Sequence, residues 1–245
     1  MKLQVCTFKW SKPGYRSTFA AEHVAILRRM VARHYPDPHE FVLFSDRAAE
    51  DERELLRIDP NSDIKVFQLW DDLASVVNPS GHRNPSCYRR LRIFARNVDE
   101  WLGERIVTLD LDTVITGDMR PVWNRKEDFV IWADTNHANP YNGSMILFSA
   151  GARPELWEDF DPVHSPGAGQ RLGYFGSDQA WIAARLGPNE ARWTQRDGVY
   201  SFRNHIKPRG GVLPSGARIV FFHGRYDPWT RDAKRIAPWI ETHYK

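Results

Sequence analysis

Ile106-Val107-Thr108-Leu109 is a short, almost wholly apolar β-type run that ends abruptly in Asp110-Leu111-Asp112. A run without polar alternation reads as a strand covered on both faces, as in the parallel sheet of an α/β protein. Two carboxylates one residue apart at its end cannot both enter a core without a large desolvation cost, so the pair calls for a cation or solvent. In open α/β sheets the space beyond the carboxyl ends of the strands is where ligands bind. The feature predicts an architecture and, within it, a place for chemistry.

The rest of the chain agrees with an α/β reading. Leu3 to Trp10 is a first strand that stops at Ser11-Lys12-Pro13-Gly14. Ser17 or Thr18 is placed to cap a helix to about His34, with Ala21, Val24, Ala25, Leu27 and Val31 near helical spacing and Pro36 closing it. Phe41 to Phe44 and Ile64 to Trp70 are further strands. Cys87 to Trp101 is predicted as an arginine-rich helix, with Leu91, Phe94, Val98 and Trp101 on one face and Arg89, Arg90, Arg92 and Arg96 on the others. Downstream, Phe129 to Ala133, Ser144 to Phe148 and Arg218 to Phe222 are strand candidates, Asp178 to Arg185 is helical, and Gly167 to Gly173 is irregular. No repeat, low-complexity stretch or linker divides the chain, which predicts one domain over 1–245.

Composition narrows the class. Hydrophobic residues at 42% and charged residues at 27% exclude disordered and collagen-like chains. The balance of 34 basic and 31 acidic residues permits an anionic ligand without demanding a nucleic acid. Ten tryptophans suit stacking on sugars or bases, although a core uses the same residues. Only two cysteines occur, Cys6 and Cys87, without metal-knuckle spacing. No apolar run reaches the ~20 residues of a membrane span, and the N-terminus passes straight into a strand. These features predict a cytoplasmic protein without a transmembrane segment.

Several further groups stand in a fixed order around the first motif. Tyr88-Arg89-Arg90-Leu91 precedes the strand; Thr116-Gly117-Asp118 follows Asp110-Leu111-Asp112; then come Asn142-Gly143-Ser144, Asp178-Gln179, and His223-Gly224 after Ile219 to Phe222. In that order, from about Tyr88 to Trp229, they resemble glycosyltransferase family eight, the glycogenin and galactosyltransferase-like GT-A enzymes. The resemblance implies a Rossmann-like nucleotide-diphospho-sugar transferase fold with a mixed, mostly parallel central sheet flanked by helices. It also implies transfer from a nucleotide-sugar donor, a UDP-sugar, to an acceptor hydroxyl with retention.

Residue by residue, Asp110 and Asp112 look like the family's Asp-x-Asp, flanking Leu111, and His223 like its third metal ligand. Carboxylate oxygens and an imidazole suit manganese or magnesium, which would neutralise a departing diphosphate. Arg90 resembles the family's arginine before leucine and would hold a phosphate or sugar group. Asn142 resembles its sugar-contacting asparagine, although Asn142-Gly143-Ser144 departs from the usual Asn-Ser-Gly. Asp178 and Gln179 match the Asp-Gln beneath the donor sugar, the expected catalytic pair. The segment from His223 through Gly224 and Arg225 to Trp229 resembles one ending in Lys-Pro-Trp; Asp227 stands in the lysine's place, and Arg225 is the candidate to supply the missing charge. Thr7 and Phe8, at the end of the first strand, are expected beside the nucleotide base.

Two other readings compete. A haloacid-dehalogenase-like phosphotransferase would use Asp110 as nucleophile and Asp112 as acid/base. It normally carries its motif near the start of the domain and a glycine after the second aspartate, whereas about a hundred residues precede Asp110 here and Thr113 follows. A non-catalytic GT-A-shaped binder of sugar, nucleotide or DNA is the other; joint retention of Asp110, Asp112, Asp178, Gln179 and His223 argues against it. The acceptor stays open among polysaccharide, lipopolysaccharide, protein and modified DNA.

Overall fold

A computed structural model describes residues 2–11, 19–79, 81, 86–135 and 138–245. Ser17 and Thr18, expected to cap the first helix, lie outside these residues. The described strands are β1 (Leu3–Lys9), β2 (His39–Ser45), β3 (Lys65–Gln68), β4 (Arg105–Leu109), β5 (Thr113–Ile115), β6 (Phe129–Ala133), β7 (Tyr141–Ser149), β8 (Ala191–Trp193), β9 (Val199–Ser201) and β10 (Ile219–Phe221). The helices are α1 (Ala21–His34), α2 (Ala48–Ile58), α3 (Arg120–Trp123), α4 (Glu155–Glu158), α5 (Pro166–Arg171), α6 (Asp178–Leu186), α7 (Arg231–Ile236) and α8 (Trp239–His243).

Seven strands form one sheet in the order β3-β2-β1-β4-β7-β6-β8. β1 runs parallel to β2 and β4, with Val5 opposite both Phe41 and Val107. Only β7 is reversed, antiparallel to β4 and β6. Residue parity sends side chains to two cores. Val5, Leu43, Val107 and Leu147 face α1 and the C-terminal segments, while Cys6, Val42, Ile106 and Phe148 face the 88–102 segment and α6. Both faces are covered, which is why these strands carry continuous apolar runs. The expected α/β architecture, a mostly parallel mixed sheet flanked by helices, is present.

A second sheet has the order β5-β10-β9, and β5 follows β4 in the chain after Asp110-Leu111-Asp112. β10 is antiparallel to β5 and parallel to β9, with Phe221 opposite Thr113 and Ser201. Three-residue strands are too short to show alternation, and β5, β8 and β9 carried no separate sequence signal.

Two expectations are corrected. Cys87 to Trp101 is not one α-helix but two 3₁₀ segments, Tyr88–Phe94 and Val98–Glu100. Tyr88, Leu91 and Phe94 are all buried, and an i, i+3 pattern of buried residues matches a three-residue turn. Gly167 to Gly173 is not wholly irregular, because α5 begins at Pro166, a residue preset for a first helical turn. At Gly169 a Cβ would lie 2.7 Å from that of Ala180. Glycine is what lets α5 pack directly on α6.

Candidate active site

The carboxyl end of β4 delivers Asp110, and the 3₁₀ turn at Tyr88–Phe94 delivers Arg90 opposite it. Arg90 Nη1 donates to Asp110 Oδ1 at 2.6 Å. Arg90 Nε and Nη2 both donate to Asp178 Oδ2, at 2.9 and 2.5 Å. Asp178 opens α6 and is 3% exposed, so its carboxylate is spent on Arg90 and not on capping its own helix. Burial by itself would lower the Arg90 guanidinium, but Asp178 and then Asp110 more than reverse this and hold it charged. Burial pushes the Asp178 carboxyl above the usual carboxylate range, and Arg90 opposes that through its charge and its hydrogen bonds.

The neighbouring arginines are engaged elsewhere. Arg89 donates to the Trp70 carbonyl, Arg92 pairs with Asp72, and Arg96 pairs with Glu158. The turn thus aims Arg90 alone at the carboxylates.

β7 begins earlier than expected and carries the Asn142-Gly143-Ser144 segment to the same place. The register between β6 and β7 shifts between Ile131 and Trp132, which bulges Gly143 toward α6. A Cβ at Gly143 would sit 2.9 Å from Arg90 Nη2 and 3.2 Å from Asp178 Oδ2. The departure Asn-Gly-Ser therefore puts the glycine where the ion pair presses against the strand. Asn142 is buried, and its side-chain oxygen accepts from the Ser144 amide at 3.0 Å. Gln179 receives the Gly143 amide at 3.4 Å and donates to the Phe175 carbonyl at 3.2 Å.

Asp134, one residue past β6, was not singled out from sequence. It accepts from Asn139 Nδ2 at 3.0 Å and faces Gln179 Nε2 at 3.4 Å. The signal available was the same as for Asp110, a carboxylate at the end of an apolar strand.

His223 follows β10, and the Phe222 amide donates to the Asp112 carbonyl at 2.8 Å, stitching the two segments together. The His223 ring nitrogen Nε2 and Ser201 Oγ share a hydrogen bond of 2.7 Å. Burial pushes the imidazole below its ordinary value, with Asp134 and Asp110 opposing and Arg203 assisting. Among the described residues no three His, Cys, Asp or Glu side chains are grouped so as to hold a metal ion. Asp110, Asp112 and His223 have the right chemistry and adjoining backbones, but Arg90 draws Asp110 aside and Ser201 engages His223.

The other predicted residues fall as follows. Leu111 is buried in the core with Val114. Thr7 is fully buried and donates to the Leu109 carbonyl at 2.9 Å. Phe8 stacks on Phe44 with ring centroids 5.2 Å apart. Both side chains are buried at the end of β1. Gly224 has φ of +86°, where glycine is favoured. Arg225 is exposed over the Tyr226 ring. Asp227 is buried, and Trp229 beyond it stacks on His23 at 4.1 Å. Trp123, Trp132 and Trp193 are core residues.

No sequence-family model matches the chain, and no curated protein matches it. Solved structures do. The galactosyltransferase LgtC, in complex with donor and acceptor sugar analogs, is similar at a TM-score of 0.65 and 12% identity, covering 99% of this chain and 96% of that one. The glycosyltransferase GlyE of Streptococcus pneumoniae TIGR4 gives 0.60 at 12% identity, over 94% of this chain and 56% of GlyE. The bifunctional enzyme WbbM gives 0.57 at 14% identity, over 98% of this chain and 51% of WbbM. The chain has the fold of these glycosyltransferases, the GT-A-like arrangement expected from its sequence. No described helix is long and apolar enough to cross a membrane.

Proposed function

We propose that this protein is a glycosyltransferase that moves a sugar from a nucleoside-diphosphate donor, uridine-linked, to an acceptor hydroxyl. The observation that carries the reading is the convergence of Arg90, Asp110, Asp178 and Gln179, from three separate segments, at the carboxyl end of the sheet. Ligands bind at such edges in open α/β sheets. LgtC has been solved with donor and acceptor analogs and as an active-site glutamine-to-glutamate mutant. In this chain Gln179 is the corresponding candidate.

Asp110, Asp112 and His223 would hold a divalent cation, manganese or magnesium, by the hard oxygen and imidazole donors such ions take. When bound, the ion supplies positive charge to the leaving diphosphate. Arg90 then serves as a buried fixed cation at the carboxylates and orients Asp178 toward the donor sugar. Asn142 and Gly143 border the ion pair on β7, and Asn142 would contact the donor sugar, as the resemblance implies. Gln179, tied to Asp134 and Gly143, holds its amide at the sugar's reacting face. Rate enhancement would come from positioning and charge; no side chain is assigned as general base, and the leaving phosphate can take the acceptor proton. Retention follows from the family resemblance. No observation of the fold favours the phosphotransferase.

The test is thermal denaturation against nucleoside diphosphates with and without manganese, on wild type and on Asp110→Asn/Asp112→Asn. Stabilisation by one nucleotide that requires manganese and is lost in the variant is expected. A folded wild type stabilised by none of them would sink the reading.

A further inference from the structure

The segment beyond His223 takes part in a cationic surface built from Arg225, which the family resemblance also offers to the donor diphosphate, and from Lys207 and Arg231, which the donor arrangement leaves unused. Two cations lie against the Tyr226 ring: Lys207 Nζ is 4.9 Å and Arg225 Cζ 5.9 Å from its centroid. Tyr226, Arg225, Thr230, Arg231 and Asp232 line an open depression of about 260 Å³. Its one acid, Asp232, is matched by Arg235 at 3.0 Å. Lys207, Arg225 and Arg231 are exposed, and among the described residues none of the three pairs with a carboxylate. Elsewhere Arg28, Arg120 and Arg185 each hold one, and Arg153 holds two. Like charges gathered without a counter-charge repel one another, and an anion placed among them relieves that repulsion.

The shape narrows the anion. The depression has room for a sugar ring with its charged substituent. Guanidinium forks on its rim suit carboxylate or phosphate oxygens. None of its lining residues is aliphatic. A membrane-binding face would carry apolar side chains to insert beside its cations. Arg225 is two residues beyond His223 in the chain, so the surface is joined directly to the segment that borders the candidate site.

We propose that this surface receives the acceptor, and that the acceptor is an acidic saccharide whose carboxylate or phosphate sits among Lys207, Arg225 and Arg231. The word acceptor rests on the glycosyltransferase reading; the acidic-sugar site does not. Calorimetric titration of the full chain without nucleotide, using trigalacturonate, glucose 6-phosphate and neutral maltotriose, tests it. Wild type should bind at least one acidic probe about tenfold tighter than maltotriose, and Lys207→Gln/Arg231→Gln should lose about tenfold on that probe alone, the scale of one charge-assisted hydrogen bond. Which probe binds separates uronate from phosphate, and added salt should weaken binding. Equal binding of acidic and neutral sugars, an unaffected double variant, or binding to phosphatidylglycerol vesicles in place of acidic sugars would each overturn it. Acidic-sugar binding in a protein that ignores every nucleoside diphosphate would instead remove the transferase reading and leave the surface standing.

Discussion

Arg90 and Asp178, 88 residues apart in sequence, meet through two hydrogen bonds to one carboxylate oxygen, and the same guanidinium reaches Asp110 on a third segment. The pair is nearly dry, with side-chain exposures of 12% and 5%. It therefore joins the stability of the fold to the geometry of the site.

Arg90→Met leaves Asp178 buried without its cation. The expected loss is about 3–5 kcal/mol, read by urea denaturation. Arg90→Met/Asp178→Leu should regain part of it, because the stranded charge is gone; an equal or larger loss in the double variant would mean that the ion pair is not the source.

Gly143→Ala is expected to cost about 1–3 kcal/mol by overpacking against the ion pair. The added methyl meets Arg90 Nη2 at 2.9 Å, and that nitrogen cannot retreat without breaking its bond to Asp178. Unchanged stability and unchanged donor binding together would show that the β7 bulge yields.

Glu40 governs part of the acid sensitivity. Hydrogen bonds from Lys2, Lys65 and Gln4 hold its carboxyl at about 2, against an ordinary value of 4.5. A folded-state value below the unfolded one stabilises at pH above about 4.5, and the gain disappears as pH falls through about 2. Both lysines are half exposed, so solvent screening limits the effect to about 1 kcal/mol. Urea midpoints measured across that window should fall less steeply with acid in Glu40→Gln than in wild type.

Asp134→Ala releases the amides of Asn139 and Gln179 together. If Gln179 works at the sugar's reacting face, kcat should fall by about tenfold, within the range for lost positioning, while donor KM changes little. Steady-state kinetics separate this from a binding defect, in which KM would carry the loss.

The sequence alone determined where the longer apolar strands lie and where charge must surface, though not the three-residue strands β5, β8 and β9. Continuous apolar runs are legible because a doubly covered strand needs them, and Asp110 and Asp112 stand out because ionised groups cannot follow such a run into a core. The ordered motifs led to the fold that the solved glycosyltransferases share. The tertiary structure decided what depends on partners distant in sequence: that Arg90, and not Arg89 or Arg92, faces the carboxylates; that Asp178 holds an arginine in place of capping its helix; that Gly143 clears space for the ion pair; and that Asp134 and Ser201 are the neighbours of Gln179 and His223. Local periodicity records only which side of an element is buried. The contacts that build the site arise when β4, β7, α6 and the 3₁₀ turn at Tyr88–Phe94 close on one another, and no single stretch of the chain encodes that meeting.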